Sequence, residues 1–434
     1  MIDKETAPPS KENACGMARE LLEKEYQIPR TLLDTMAAAE SGLEQMFARA
    51  EAVAAHNQLR LLRIFQRRGA TDFHLQGSTG YGYGDKGRAL LEEIFAEFFG
   101  GEAALARGQI ISGTHALSLG LYGNLRPGDE LISAAGRPYD TLLKIIGRRG
   151  EADTLLDQGI GYREIPLAGD GHIDLPRLLA AVGPHTRMAL LQRSKGYDWR
   201  PAVSLAELAV VIAALRQKKP DLICLVDNCY CEMVEPLEPG HVGADLTIGS
   251  LIKNPGGTLA PSGGYLVGRA AYVAAAARRL TAPGLGSDMG ASLGFNRLAY
   301  QGLFQAPQTV CQSVKGGVLA AAFFRRLGYD TLPDAGDERP DTVQAIKLGE
   351  AKKLIAFCQA VQKACPLDAA FAPEPDLLPG YDYPVIMAGG GFVQGASSEL
   401  SADGPMRPPY IAYFQGGISL AQTRLALLLA AMAL

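Results

Sequence analysis

Residues 222–257 read LICLVDNCYCEMVEPLEPGHVGADLTIGSLIKNPGG, and this stretch decides the fold. LICLVD (222–227) and DLTIG (245–249) are short apolar runs of strand length. Asp227 ends the first run; in a parallel sheet the carboxyl ends of strands open into the ligand crevice. Lys253 follows the second run, three residues after Ser250 and just before an Asn-Pro-Gly-Gly turn. Working outward, DELIS (129–133), YREIPL (162–167), MALLQ (188–192) and YLVG (265–268) are further strand candidates. Helical patterns such as DLPRLLAAVG and SLAELAVVIAALRQKK lie between them. Alternating strand and helix predicts an α/β fold with a mainly parallel sheet covered by helices on both faces.

The flanks are read in the same way. Residues 15 to about 66 are rich in Ala, Leu and Glu and predict an N-terminal helical segment. A Gly-rich loop, GSTGYGYGDKGR (77–88), precedes a helix with Leu90, Leu91, Ile94, Phe95 and Phe98 at helical spacing. After residue 270 the pattern is helical, in AAYVAAAARRL, ASLGFNRLAYQGLF and SVKGGVLAAAFFRRLG, as far as a polar connector, PDAGDERPD (333–341). TVQAIKLGEAKKLIAFCQAVQKA (342–364) predicts one more helix, and PVIMAGGGFVQG and YIAYFQGG predict strands. The division expected is 1–66 helical segment, 67–310 large domain and 311–434 smaller C-terminal α/β domain.

Composition excludes several function classes. The 434 residues are 47% hydrophobic with a net charge of -4, so there is no basic stripe for nucleic-acid phosphates. The polar start, MIDKETAPPSKENAC, is no signal peptide, and apolar runs such as LALLLAAMAL are too short to span a bilayer. Seven cysteines without CxxC pairs read as reduced thiols in a cytoplasmic protein. Neither HExxH nor clustered Cys/His spacing appears, so no metal site is expected. Two motifs are set aside. Gly82, Gly84 and Gly87 fit the dinucleotide fingerprint, but no buried strand precedes them. Gly290, Ser292 and Gly294 fit a nucleophile elbow, but lie in a helical-looking stretch with no strand before it.

What remains is the pair at the strand ends. A carboxylate at the edge of a hydrophobic run needs a charged or hydrogen-bonding partner. For Asp227 a protonated pyridine nitrogen would serve, and the ring could then accept electrons from a substrate carbanion. A lysine beside a cationic ring and an apolar wall loses its proton more readily, which suits Lys253 to imine formation and proton shuttling. Ser112-Gly113-Thr114 opens the helical run ALSLGLYG, where free backbone N–H groups and the helix dipole favour a phosphate; Ser250 offers a hydroxyl to it. Tyr139, in GRPYDTL, is available to stack on the ring. Each residue taken alone also has a plain reading: a turn or cap for Asp227, a solvated surface lysine for Lys253, a capped helix start for Ser112, a core or rim tyrosine for Tyr139. Cys229 and Cys231 read either as redox-sensitive thiols near the ring or, more commonly, as small buried residues.

With these pieces aligned, the sequence from about residue 60 onward resembles the Cys/Met-metabolism branch of fold-type I enzymes that use pyridoxal 5'-phosphate (PLP). It is most similar to the methionine gamma-lyase-like group known as aluminium resistance proteins. The strings GYGYGDKGR, SGTHALS, GRPYDTL, QRSKGY, SLIKNPGG, APGLGSDMG, QGLFQAPQTV and ELSADGPMRPPY carry the resemblance. It implies PLP held by Lys253, with Asp227 on the pyridine nitrogen. Gly113, Thr114 and Ser250 would hold the phosphate, and Tyr139 would stack on the ring. Gln192 and Ser194 would lie near the ring hydroxyl. Tyr81 and Tyr83 stand where the wider branch has a Tyr-x-Arg pair reaching from a neighbouring subunit, with Arg88 as a substitute charge. A homodimer or homotetramer with shared active sites is therefore implied. Arg407 is the candidate for the substrate carboxylate, with Arg424 as its rival. The implied reaction is C–S elimination on a small amino-acid substrate. Transamination, aldol cleavage or a stress-response role with little catalysis are the competing expectations, and a nicotinamide enzyme is the third class.

Overall fold

A computed structural model describes residues 11–148 and 150–434. Three helices open the chain, α1 (Lys11–Lys24), α2 (Arg30–Glu40) and α3 (Glu44–Arg67). The large domain follows as α4 (Lys86–Phe99), β1 (Ala103–Arg107), α5 (Gly113–Asn124), β2 (Glu130–Ser133), α6 (Asp140–Ile146), β3 (Gly161–Glu164), α7 (Leu175–Ala181) and β4 (Thr186–Gln192). It continues through α8 (Leu205–Lys218), β5 (Ile223–Asp227), β6 (Leu246–Ser250), β7 (Gly264–Gly268) and α9 (Ala270–Leu280). The long helix α10 (Phe295–Arg326) leads to β8 (Asp330–Leu332), β9 (Gln344–Lys347), α11 (Ala351–Gln362), β10 (Val385–Gly389), β11 (Ser401–Pro405), β12 (Ile411–Gln415) and α12 (Leu420–Ala433).

Seven strands form the first sheet, in the order β1-β7-β6-β5-β4-β2-β3. The five strands from β6 to β3 pair in parallel; β7 alone runs against its neighbours. The parallel core explains the unbroken apolar runs, since β5 and β6 are buried along their whole length and must satisfy helices on both sides. On one face Leu225, Ile248 and Leu266 pack with α5 and α9. On the other, Cys224 and Val226 pack with Leu208, Val211 and Ile212 of α8. Strand β1 was not among the sequence-based candidates, because AALAR offers neither β-branched residues nor alternation.

The second sheet is antiparallel, in the order β10-β11-β12-β9-β8. Alternate residues of its strands serve two masters. Ile346, Ala402, Ala412 and Phe414 enter the core with α11 and α12, while Val343, Ala345, Ile411 and Tyr413 face the large domain. Residues 342–350, expected as the start of a helix, instead form β9 and a turn. Gly349 takes φ +80° there, and the helix starts only at Ala351. The two helices expected between 291 and 328 are one rod, α10, which passes through Pro307 and through position 310, where the domain division was expected. Its first half packs on α4 through Tyr300 and Leu303, and its second half enters the C-terminal core through Phe323 and Phe324. Helix α2 joins that same C-terminal core through Leu33 and Met36.

The two discounted motifs turn out to touch each other. Gly290–Gly294 is loop rather than helix, and Ser292 donates to Asp85, the cap of α4, at 2.6 Å. Gly82 lies against it, so close that a Cβ at Gly82 would sit 2.6 Å from the backbone of Ala291.

Candidate active site

The carboxyl ends of β4, β5 and β6 bring Gln192, Asp227 and Ser250 side by side, because Gln192 pairs with Asp227 and Asp227 with Ile248. They floor a cavity of about 350 Å³ between the two sheets. Lys253, Ser112, Gly113, Thr114, Tyr139 and Ser194 also line it, so nine of the residues singled out in the sequence meet in one chamber.

Asp227 is 4% exposed and, among the described residues, has no cationic partner. Its Oδ1 accepts the Cys229 backbone N–H at 3.1 Å. Burial pushes its carboxyl up to about 6, against a smaller downward pull from Cys229. Such a carboxylate calls for a cation supplied from within the cavity. At the other end, Ser112 caps α5 by accepting from the His115 N–H at 3.0 Å. The first N–H groups of α5 have no helical acceptors, so they point a positive dipole end into the chamber. Gly113 is needed here: a Cβ would come within 3.1 Å of Cys229 Sγ and 3.3 Å of Ser250 Cβ. The Thr114 hydroxyl lies 3.3 Å from that of Tyr139, whose backbone N–H donates to Gln192 Oε1 at 3.1 Å. Burial, aided by Asp227, keeps the Tyr139 phenol protonated. The chamber thus has an anion cup, a carboxylate for a ring cation and an aromatic side chain, and these residues fit PLP.

Lys253 Nζ donates to the Gly395 carbonyl at 2.6 Å and sits 4.6 Å above the Tyr230 ring. Burial pulls its ammonium down, but Tyr230, Cys229 and Asp403 outweigh that and the balance is upward. The chain's own groups thus favour the ammonium, and the easing of deprotonation was expected from a cationic ring rather than from these groups. Tyr230 holds φ 72°, a left-handed conformation rare for an aromatic residue, and its carbonyl accepts from Thr342 of the second sheet's domain at 3.0 Å. Cys229 reaches the cavity, but burial and Asp227 push its thiol far up, so it is not a reactive thiolate. Cys231 is buried away from the cavity.

Other candidates lie elsewhere. Arg407 stands outside the wall, its guanidinium 4.6 Å over the Tyr383 ring. Arg424 is committed to Glu40 at 2.6 Å, far along α12. Tyr81 and Tyr83 stack on each other at 5.5 Å and are 68% and 61% exposed. Arg88 is buried beneath their loop, bonding the carbonyls of Gly82, Asp288 and Gly290; it braces that loop and adds no charge to the cup. Ser194 and Lys195 are both tied to Asp341, at 3.0 Å and 2.7 Å. Residues that sequence reasoning missed come mostly from the second sheet: Asp403, Tyr413 and Gln415, with Tyr197 and Tyr381 beside them.

The raised Asp227 carboxyl has a stability consequence. A carboxyl that holds its proton more tightly when folded stabilises the fold at low pH, fully below its unfolded value near 4, and that help is lost as pH rises through about 6. In cofactor-free protein, Asp227→Asn should match wild type at pH about 4 and become the more stable of the two by up to about 3 kcal/mol at pH about 7. Urea unfolding at both pH values measures this, and a pH-independent difference would contradict it.

A family model described as methionine gamma-lyase matches residues 32–434. The Bacillus subtilis protein YnbB is 48% identical over 398 residues, 91% of this chain and 94% of that protein. The structure of a carbon-sulfur lyase involved in aluminium resistance from Clostridium novyi is 38% identical, with a TM-score of 0.91 over 95% of this chain and 98% of the other. A more distant likeness, to the PLP-dependent protein YhfS of Escherichia coli, covers 88% of this chain and 96% of that one at 19% identity and TM-score 0.58, and concerns the fold alone. The α/β fold is thus that of fold-type I PLP enzymes, and the chain belongs to the methionine gamma-lyase family.

Proposed function

We propose that the chain holds PLP on Lys253 and eliminates a sulfur leaving group from a sulfur-containing amino acid, as a methionine gamma-lyase or a cystathionine lyase does. One observation carries the reading. Asp227, a buried carboxylate without a cation, and the amine of Lys253 open onto one cavity just past the ends of adjacent strands. PLP, when bound, supplies an aldehyde that joins amines and a ring that stores the electrons of a substrate carbanion.

The side chains supply the rest. Asp227 keeps a negative charge where the ring nitrogen would lie. The N-terminus of α5, Thr114 and Ser250 would hold the phosphate by hydrogen bonds. Tyr139 would stack on the ring and, as a protonated phenol, could donate to departing sulfur. Gln192 and Ser194 line the cavity and would lie near the ring hydroxyl. Lys253 Nζ is the group that takes and returns the substrate's alpha proton. Arg407, held over Tyr383 outside the wall, is the guanidinium that would turn in to the substrate carboxylate.

The assembly proposed is a homodimer or homotetramer. The stacked Tyr81 and Tyr83 support it, with Leu293 at 75% exposure and Ile111, beside the cup, at 72%. Among the described residues no helix is long and apolar enough to cross a membrane, and every described cysteine side chain is a free thiol. A cytoplasmic location is proposed on the second of these facts.

Purified protein with PLP should absorb near about 420 nm. It should also release thiol and keto acid from methionine, cystathionine or cysteine, and sediment as more than one 46.1 kDa chain. An intact absorbance with no thiol from any of them would defeat the lyase reading.

A further inference from the structure

Among its lining residues the chamber has one cationic side chain, Lys253, against three carboxylates, Asp140, Asp227 and Asp403. Lys253 and Asp227 are assigned to the cofactor, and Asp140 accepts the Tyr383 hydroxyl at 2.5 Å. Asp403 adds to the charge that favours the Lys253 ammonium, but has no assigned partner on the substrate. It lies on β11 directly opposite Tyr413 of β12, so the two side chains leave the same face of the sheet, toward the large domain. The Tyr413 ring packs at a tilt on Tyr197, centroids 5.1 Å apart, and Tyr197 packs likewise on Tyr381 at 6.0 Å. Asp403 has no ion pair among the described residues. The Tyr413 hydroxyl, on a residue 2% exposed, and Gln415 Oε1, on a residue 7% exposed, have no hydrogen-bond partner although both residues line the cavity.

A carboxylate walled by phenol rings, beside an unpaired phenol hydroxyl and an unpaired amide oxygen, is the complement of an ammonium group once the Lys253 amine is engaged by the cofactor. An ammonium presents three donors and no acceptor, and aromatic faces attract it further. A methyl thioether would leave all of these groups desolvated and unpaired.

We propose that Asp403, with Tyr413 and Tyr197, forms a subsite for a distal ammonium group, so that the preferred substrate is a thioether amino acid bearing a second amine. This rests on the lyase reading above. Asp403 then determines specificity, selecting the far end of the substrate while Lys253 works on the near end. The rival is that Asp403 serves only Lys253, which lies close enough to feel its charge.

The test compares cystathionine with its analogue lacking the distal amine, using wild-type holoenzyme and Asp403→Asn. Wild type should favour cystathionine in kcat/KM by about 10²-fold, chiefly through KM, and the variant should bring that ratio to about one while keeping its cofactor absorbance. Asp403→Glu should restore part of the preference. Equal use of the two substrates by wild type, or an equal fall for both in the variant, overturns the proposal and favours the rival. Should neither substrate be cleaved, the lyase reading fails separately. The subsite is then judged by spectral titration of the cofactor band: tighter binding of cystathionine to wild type than to Asp403→Asn supports it, and equal binding refutes it.

Discussion

Lys253→Ala should lose the absorbance near about 420 nm and lower thiol release by about 10⁴-fold or more. Two roles vanish with one amine, because Lys253 is both the anchor of the cofactor and the group that moves the alpha proton. Geometry makes substitution by a neighbour implausible: among the residues lining the chamber no second amine exists. The matched control is Lys352→Ala, on the exposed side of α11, which should leave both readouts unchanged. Lys195 would be a poor control, for a reason developed below. Retention of the absorbance in Lys253→Ala would place the cofactor amine elsewhere and remove the basis of the proposed mechanism.

The second large effect is on stability. Lys195 and Asp341 are each about 1% exposed and lie 2.7 Å apart, with Lys195 Nζ also donating to the Val343 carbonyl at 2.9 Å. Burial pulls the Lys195 ammonium down while Asp341 holds it up, and the balance is downward. Removing one member strands a charge in a dry interior. Lys195→Ala should therefore cost about 3–5 kcal/mol in denaturant unfolding, whereas Lys195→Met combined with Asp341→Leu should recover most of it. Because Asp341 also accepts from Ser194 at 3.0 Å, the single variant should disturb the chamber edge as well. A loss below about 1 kcal/mol would mean that water reaches the pair and that the contact is only a surface one.

The residues legible in sequence share one property. Asp227, Lys253, Ser250 and Gln192 stand at or just past the ends of apolar strands, where the hydrophobic pattern stops and a polar residue becomes conspicuous. Ser112-Gly113-Thr114 is legible for the related reason that a cap and a glycine announce a helix start. Asp403 was hidden because β11, SADGP, offers no apolar alternation: its outward positions serve the cavity and are polar, and its inward ones are only Ala402 and Gly404. Tyr413 sits in a run, IAYFQ, that is buried throughout, so its phenol looked like core. Strand β9 was lost inside a helical pattern because Val343, Ile346, Leu354 and Phe357 also fit a 3.6-residue period, and only the left-handed turn at Gly349 separates the two structures. Arg407 was legible as a guanidinium near a strand, but spacing cannot say that it stacks on Tyr383 outside the wall.

Helix α10 carries a consequence of its own. One 32-residue rod anchors both halves of the molecule, lending Tyr300 and Leu303 to one core and Phe323 and Phe324 to the other. Neither half can melt while its companion keeps a full complement of packing, so opening costs accumulate over the whole polypeptide instead of being confined to a weak lobe. The catalytic chamber, built where those halves meet, inherits the rigidity of a shared spine, and its occupants are chosen by fit to a shape already set.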